Sequence, residues 1–239
     1  PSDPSDSSDP SDLSDPSDFL LQFPFLMSKL IIQGPCRIHG TLTPSGNKNA
    51  ALPAIAASVL TDETVVLRNM PDIVDVRNML CVVQTLGGKA SFAEGVAEIT
   101  AGALCGNEVP EELSSRIRTS LLFAGPLAVR LGSVWMGLPG GDMIGRRRFD
   151  THFYGLRKLG ISIEEERGGY RFTAGKLTPA ELFLDEASVT ATEHILMTAA
   201  AIPGRTILRN AACEPHVQQL AEMLNAMGAH VEGAGTNTL

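Results

Sequence analysis

A constant offset runs through this chain. Val66-Leu67-Arg68-Asn69 returns 141 residues later as Ile207-Leu208-Arg209-Asn210, and Leu86-Gly87-Gly88 returns at the same offset as Met227-Gly228-Ala229. Two motifs sharing one displacement point to a duplicated structural unit more firmly than either match alone. A third copy lies between them and ends at Leu159-Gly160-Ile161, 73 residues after the first and 68 before the last. Each copy reads as an apolar helix, a β-rich strand, a connecting loop, a second helix, the Leu-Gly turn and a further strand. In the first copy these are predicted over roughly Ala50–Leu60, Thr64–Arg68, Val74–Leu86 and Lys89–Phe92. Helices alternating with short strands in three units of about 70 residues predict an α/β domain whose helices are covered by sheets. The units are too long and too mixed for a propeller or a solenoid.

Outside that pattern, residues 1–18 are a Pro-Ser-Asp repeat with almost nothing to bury, and residues 1–26 are predicted to be a disordered acidic extension. Phe19–Leu26 is apolar but only eight residues long and follows acidic rather than basic residues, so it does not read as an export signal. Met27 reads as the natural start. The extension also explains the net charge of −8: it holds six Asp and no Lys or Arg, and taking these away leaves −2 for the rest. That near-neutral remainder carries no basic surplus for nucleic acid, and no 18-residue apolar run suggests a membrane span. Cys36, Cys81, Cys105 and Cys213 are widely spaced and form no CxxC pair, which reads as reduced thiols in a cytoplasmic protein.

Two segments carry candidate chemistry. In Gly46-Asn47-Lys48-Asn49-Ala50-Ala51-Leu52-Pro53 a turn hands over to an apolar helix, and a helix start favours an anion. Lys48 adds a full charge there, and Gly46 would let the backbone come close. The second segment is the glycine loop Gly137-Leu-Pro-Gly-Gly-Asp142-Met-Ile-Gly-Arg-Arg-Arg148, whose Gly137, Gly140, Gly141 and Gly145 would give it the freedom to close over a ligand.

With Gly34-Pro35, Arg118 followed by Gly125-Pro126-Leu127, and Asn210-Ala-Ala-Cys-Glu214-Pro215, these segments resemble the UDP-N-acetylglucosamine enolpyruvyl transferases (1-carboxyvinyltransferases). The similarity runs nearly without gaps from Met27 onward and covers about the first half of such an enzyme. The resemblance implies an inside-out α/β barrel of two lobes, each of three units, with the active site between them. Residues 48–239 would form one lobe, and the strand near Leu30–Gly40, within residues 27–47, would belong to the other.

The implied reaction moves the enolpyruvyl group of phosphoenolpyruvate onto the 3′-hydroxyl of UDP-N-acetylglucosamine and releases phosphate. It is the first committed step of peptidoglycan precursor synthesis, hence of cell wall biogenesis, cell shape and division. It needs cations for the anionic groups, an acid for the methylene carbon and a base for the hydroxyl. No metal or organic cofactor is implied, and neither nucleic acid nor membrane is an expected partner. By resemblance Lys48 contacts phosphoenolpyruvate, Asn49 orients the substrates, and Arg118, on a helix predicted near Glu111–Ala128, and Arg147 hold the phosphate-bearing ligands. Which of Arg146, Arg147 and Arg148 points inward rests on the resemblance alone. Glu186-Ala187-Ser188-Val189 matches the turn that binds the nucleotide sugar and reads equally as the start of a helix over 189–202. Glu214 matches an acidic residue near the site and also opens a helix with Pro215.

The departure is Asp142, where most family members carry the cysteine that donates the proton and is alkylated by fosfomycin. A carboxylic acid can deliver the same proton, so Asp142 is the expected acid of a fosfomycin-insensitive enzyme. The general base and further arginines of the family lie in the half not represented, so residues 1–239 alone are expected to be inactive. Two other readings stay open: a relative acting on shikimate 3-phosphate, and a non-catalytic remnant of a shortened gene.

Overall fold

A computed structural model describes residues 31–35, 37–140 and 149–239. The chain divides into two compact units, Pro1–Thr43 and Pro44–Leu239. In the first unit, residues 31–35 and 37–43 form neither helix nor strand, and Ile31, Ile32, Ile38 and Leu42 are exposed. The strand expected near Leu30–Gly40 is thus not formed over the described residues; a lone strand leaves both its backbone groups and its apolar side chains unpaired. The extension 1–26 and Cys36 lie outside the described residues, whereas Cys81, Cys105 and Cys213 are free thiols. The second unit begins at Pro44, ahead of the expected boundary at Lys48, because the turn is tied to the helix it opens. Asn47 Oδ1 accepts from the Ala50 amide at 3.1 Å, and Gly46 lies against the carbonyl of Asn69.

Within residues 44–239 the described residues build three sheets. Helix α1 (Lys48–Ala57) ends in a 3-10 turn over Ser58–Leu60 and leads into β1 (Thr64–Leu67). After α2 (Val74–Thr85) come β2 (Lys89–Ala93) and β3 (Val96–Thr100), giving an antiparallel sheet of order β1-β3-β2. The second sheet joins β4 (Glu108–Val109), parallel to β5 (Ser133–Gly137), with β6 (Ile161–Glu166) and β7 (Gly169–Ala174) in the order β4-β5-β7-β6. In the third, β8 (Glu181–Phe183) runs parallel to β9 (Ile207–Arg209), and Arg209 bridges to Thr238. Between them stand α3 (Glu111–Ser114), α4 (Ala124–Leu131), α5 (Asp150–Lys158), α6 (Val189–Ala200) and α7 (Pro215–Ala226).

The internal offset has a conformational counterpart. Asn69 and Asn210 both take a φ of 55°, in the left-handed region that asparagine enters more readily than most residues. Helices α2, α5 and α7 end alike, with Gly87, Gly160 and Gly228 at φ of 94°, 95° and 102°. Each of these glycine amides bonds the carbonyl three residues back, at 2.9 to 3.1 Å, a closure open to glycine without strain. The correspondence is close at the helix ends and loose in the sheets, which differ in size.

Burial sorts the helices into layers. Helix α6 buries every residue from Ala191 to Thr198 and packs against α1, α4, α5 and α7, so it is the central helix of the unit. Helix α4 is likewise buried from Ala124 to Ala128. The single helix expected over Glu111–Ala128 is instead broken: α3 stops at Ser114, Ile117 is extended (φ −148°, ψ 130°), and a 3-10 segment spans Arg118–Phe123. The buried hydroxyl of Ser120 donates to the carbonyls of Ile117 (2.8 Å) and Ser114 (3.1 Å), offering the backbone an alternative to a continuous helix. That break starts the 3-10 segment at Arg118. The helix expected over 189–202 ends at Ala200.

Candidate functional site

Four helix starts converge on one cleft of about 740 Å³. Helix α1 contributes Lys48 and Asn49, α2 Asp75, α5 Asp150, Thr151 and His152, and α6 Thr190 with its cap Ser188. Each helix start offers backbone N–H groups without an intrahelical partner and the positive end of a dipole, so their convergence favours anionic groups. The break in the 111–128 region adds Arg116, Ile117, Arg118 and Thr119 to the wall. Asp75, Asp150, Asp185 and Glu186 form the acidic part of the lining.

Two of the basic residues, Lys48 and Arg118, are held by partners. Lys48 Nζ lies 2.5 Å from Asp75 Oδ2, with the lysine side chain about half exposed to the cleft. The Arg118 guanidinium lies over the Phe149 ring, 4.3 Å from its centroid. On the acidic side, the Thr151 hydroxyl donates to Asp185 at 2.8 Å. An incoming phosphate would compete with Asp75 for Lys48.

Behind Thr190 lies a buried pair of imidazoles whose protonation the geometry fixes. The Gly125 amide donates to His194 Nε2 at 2.9 Å, so that nitrogen carries no proton. His194 therefore carries its proton on Nδ1, which faces His152 Nδ1 at 3.1 Å. His152 accepts there and keeps its own proton on Nε2, 3.2 Å from the Thr190 hydroxyl. Both rings are neutral at pH 7: burial, with the Arg118 charge adding, pushes His152 down to about 3, and burial with His152 alongside holds His194 well below the usual range.

A second buried group lies along α6. Burial, reinforced by the charge of Glu214, pushes the Glu193 carboxyl up to about 8. His216 Nε2 is 4.0 Å from its Oε1. The unfolded chain ionises this group near pH ~4.3, while the folded chain keeps the proton until about 8. The folded state thus binds more protons in that window, and stability falls as pH rises through it. Glu193→Gln keeps the neutral shape without the titration. Its melting temperature should match the parent's near pH ~4, below the unfolded-state pKa, and exceed it by roughly 5 °C or more near pH 8.5. Equal melting temperatures at both pH values would show that Glu193 ionises freely.

Of the residues expected from sequence, the cleft lining includes Lys48, Asn49, Arg118, Glu186 and Ser188. Ala187 and Val189 complete the same turn, with Ser188 capping α6 through its hydroxyl and Val189 as the first helical residue. Glu214 sits apart from this lining, as the cap of α7 ahead of Pro215. Asp142 and Arg147 lie outside the described residues, as do Arg146 and Arg148.

Three glycines do something other than expected. A side chain at Gly46 would strike the Asn69 carbonyl, so its role is packing of the turn rather than approach to a ligand. One at Gly137 would meet Glu111 Cα at 2.5 Å, and one at Gly140 would strike the backbone of Ser115. Both hold the loop's entry against α3 rather than freeing it to move. Sequence reading missed Asp75, Arg116, Thr151, His152, Asp185, Thr190 and His194. A histidine within an otherwise apolar helix was the one signal available, and it reads equally as a satisfied core residue.

Residues 32–239 match the family model described as EPSP synthase (3-phosphoshikimate 1-carboxyvinyltransferase). The UDP-N-acetylglucosamine 1-carboxyvinyltransferase of Treponema denticola is 49% identical over 214 residues, covering 89% of this chain and 50% of that one. The protein of the same name from Borreliella burgdorferi is 47% identical, with 89% and 50% coverage. The chain spans about half the length of the curated relatives it matches. Among solved structures, the enolpyruvyl transferase NikO from Streptomyces tendae superposes with a TM-score of 0.76 at 24% identity, covering 87% of this chain and 49% of that one. EPSP synthase from Acinetobacter baumannii gives 0.66 at 21%, with 83% and 46% coverage. These two likenesses establish the α/β fold of enolpyruvyl transferases.

Proposed function

Because this chain belongs to the EPSP synthase (3-phosphoshikimate 1-carboxyvinyltransferase) family, we propose that it is the substrate-binding lobe of a UDP-N-acetylglucosamine 1-carboxyvinyltransferase. Such an enzyme transfers the enolpyruvyl group of phosphoenolpyruvate to the 3′-hydroxyl of the sugar nucleotide, with release of phosphate, in peptidoglycan precursor synthesis. The observation that carries the reading is the convergence of four helix starts with Lys48, Arg116 and Arg118 on one cleft. Both substrates are phosphorylated, and this is a site whose backbone and side chains favour phosphoryl oxygens. The amino-sugar substrate is preferred over shikimate 3-phosphate because similarity to the first class of enzyme is 49% and to the solved EPSP synthase 21%.

In this reading Lys48 leaves Asp75 for the phosphate of phosphoenolpyruvate, and Asn49 orients the substrates beside it. Arg118 and Arg147 hold phosphoryl groups, and the turn Glu186-Ala187-Ser188-Val189 receives the nucleotide at the start of α6. Glu214 acts near the site through Glu193, whose carboxyl its charge raises. Asp142 donates the proton to the methylene carbon. The general base lies in the part of the relatives' length that this chain does not span, so the 239 residues bind and do not turn over. The reaction needs no cofactor, and the enzyme is cytoplasmic, insensitive to fosfomycin and required for cell shape and division. No helix of the described residues is long and apolar enough to cross a membrane.

Calorimetric titration tests the reading. UDP-N-acetylglucosamine should bind the 239-residue chain in the high micromolar to millimolar range, as half a cleft would. Lys48→Ala should weaken inorganic phosphate and phosphoenolpyruvate more than the sugar nucleotide. Tighter binding of shikimate 3-phosphate than of UDP-N-acetylglucosamine would transfer the chain to the other branch.

A further inference from the structure

The hydrogen-bond chain behind the cleft has a direction. It starts at a backbone N–H, which can only donate, and each ring passes that constraint on. Gly125 N–H donates to His194, His194 Nδ1–H to His152, and His152 Nε2–H to Thr190 Oγ1, over 2.9, 3.1 and 3.2 Å. Thr190 is thereby made the acceptor of its buried bond, and its own proton is left to point elsewhere. Thr190 lines the cleft and is the second residue of α6, beside the unpaired amides of that helix start.

Both imidazoles are buried and His194 is fully enclosed, so His194 cannot exchange its partner for water. Gly125 is an obligate part of the arrangement: a Cβ there would lie 3.0 Å from His194 Nε2 and strike Thr198 Oγ1. Thr198 is itself fixed, its hydroxyl donating to the His194 carbonyl at 2.7 Å. The relay is therefore built from three elements, α4, α5 and α6, and ends on a single hydroxyl at the cleft wall.

We infer that Thr190 is a specificity-determining donor, its hydroxyl held by His194 and His152 so that it gives its proton to a phosphoryl oxygen of the sugar nucleotide. A phosphoryl oxygen fits because the α6 start favours an anion, and a hydroxyl committed as donor rejects a ligand group that can only donate. The two histidines act through Thr190 and are positioning residues. The inference rests on the proposed function and adds to it a residue that sequence reading had not selected.

Two measurements on the 239-residue chain decide it. Two-bond nitrogen–proton correlation spectra report histidine tautomers directly: His194 should be the Nδ1–H form and His152 the Nε2–H form. An Nε2–H tautomer at His194 would overturn the relay. Calorimetry with UDP-N-acetylglucosamine, and with UDP as a second probe, should find Thr190→Val roughly tenfold weaker. Thr190→Ser keeps the hydroxyl and should stay within about twofold, a rescue that a packing role for the threonine methyl would not give. Unchanged affinity in Thr190→Val, with the parent chain binding normally, sinks this inference and leaves the proposed function standing. Failure of the parent chain to bind either nucleotide sinks both.

Discussion

Asp142→Asn, made in the protein carried to the full length of its relatives, is expected to cut turnover by ~10²–10⁴-fold, the range that a positioned general acid supplies. Sugar-nucleotide affinity should stay within a few-fold. Asp142 lies outside the described residues, and its expected role follows from its chemistry. An aspartate in water titrates near ~3.9 and is ionised at neutral pH, so a donor role requires the site to return its proton. The negative charge of bound phosphoenolpyruvate and the exclusion of water favour the protonated acid, while Arg147 opposes it. Asparagine matches the shape and has no such proton to give. Asp142→Cys restores a proton donor and supplies a thiolate, a far better nucleophile toward an epoxide. It should keep activity and become sensitive to covalent inactivation by fosfomycin. Parent-like turnover in Asp142→Asn would reduce Asp142 to a loop residue.

Gly125→Ala should be the most destabilising single-methyl change at the centre of the lobe. The added carbon would strike Thr198 Oγ1 and lie 3.0 Å from both His194 Nε2 and Leu156 Cδ2. None of these can retreat easily: Thr198 is bonded to the His194 carbonyl, His194 to His152, and Leu156 is fully buried. Overpacking of this kind costs roughly 3 kcal/mol or more once the Gly125–His194 bond is also displaced, a fall of about 10 °C in melting temperature for a chain of this size. Thermal unfolding followed by circular dichroism measures it. An unchanged transition would mean that α4 and α6 are farther apart than the geometry here requires.

What the sequence made legible follows from local physics. Helix α2 was expected over Val74–Leu86 and spans Val74–Thr85, because an apolar period and a glycine stop are both local signals. The turn into α1 could be read for the same reason, although the helix was expected from roughly Ala50 and starts at Lys48, and so could the Leu-Gly closures. The break at Ile117 could not: no proline or glycine lies between Glu111 and Ala124 to announce it, and the interruption depends on the Ser120 hydroxyl reaching two carbonyls. The glycines misled in the opposite sense. Gly46, Gly137 and Gly140 suggested freedom, whereas they serve close packing against residues distant in the chain.

The candidate site divides along the same line. Lys48, Asn49, Arg118, Glu186 and Ser188 lie in segments whose resemblance identified them, and they meet in one cleft. His152 and His194 are 42 residues apart and Gly125 and His194 69 apart, so their bonded chain exists only once α4, α5 and α6 are packed. No local pattern announces it. Asp75 is likewise an ordinary first-turn acid in sequence, and only the fold sets it 2.5 Å from Lys48.

That the cleft is a receptor for the sugar nucleotide is tested most directly by amide shift mapping on the 239-residue chain. Titrating UDP-N-acetylglucosamine should move, saturably, the amides of Lys48, Asn49, Thr151, His152, Val189 and Thr190, while shikimate 3-phosphate at equal concentration moves them far less. Saturable shifts confined to residues away from these helix starts, or none up to millimolar ligand, would contradict it.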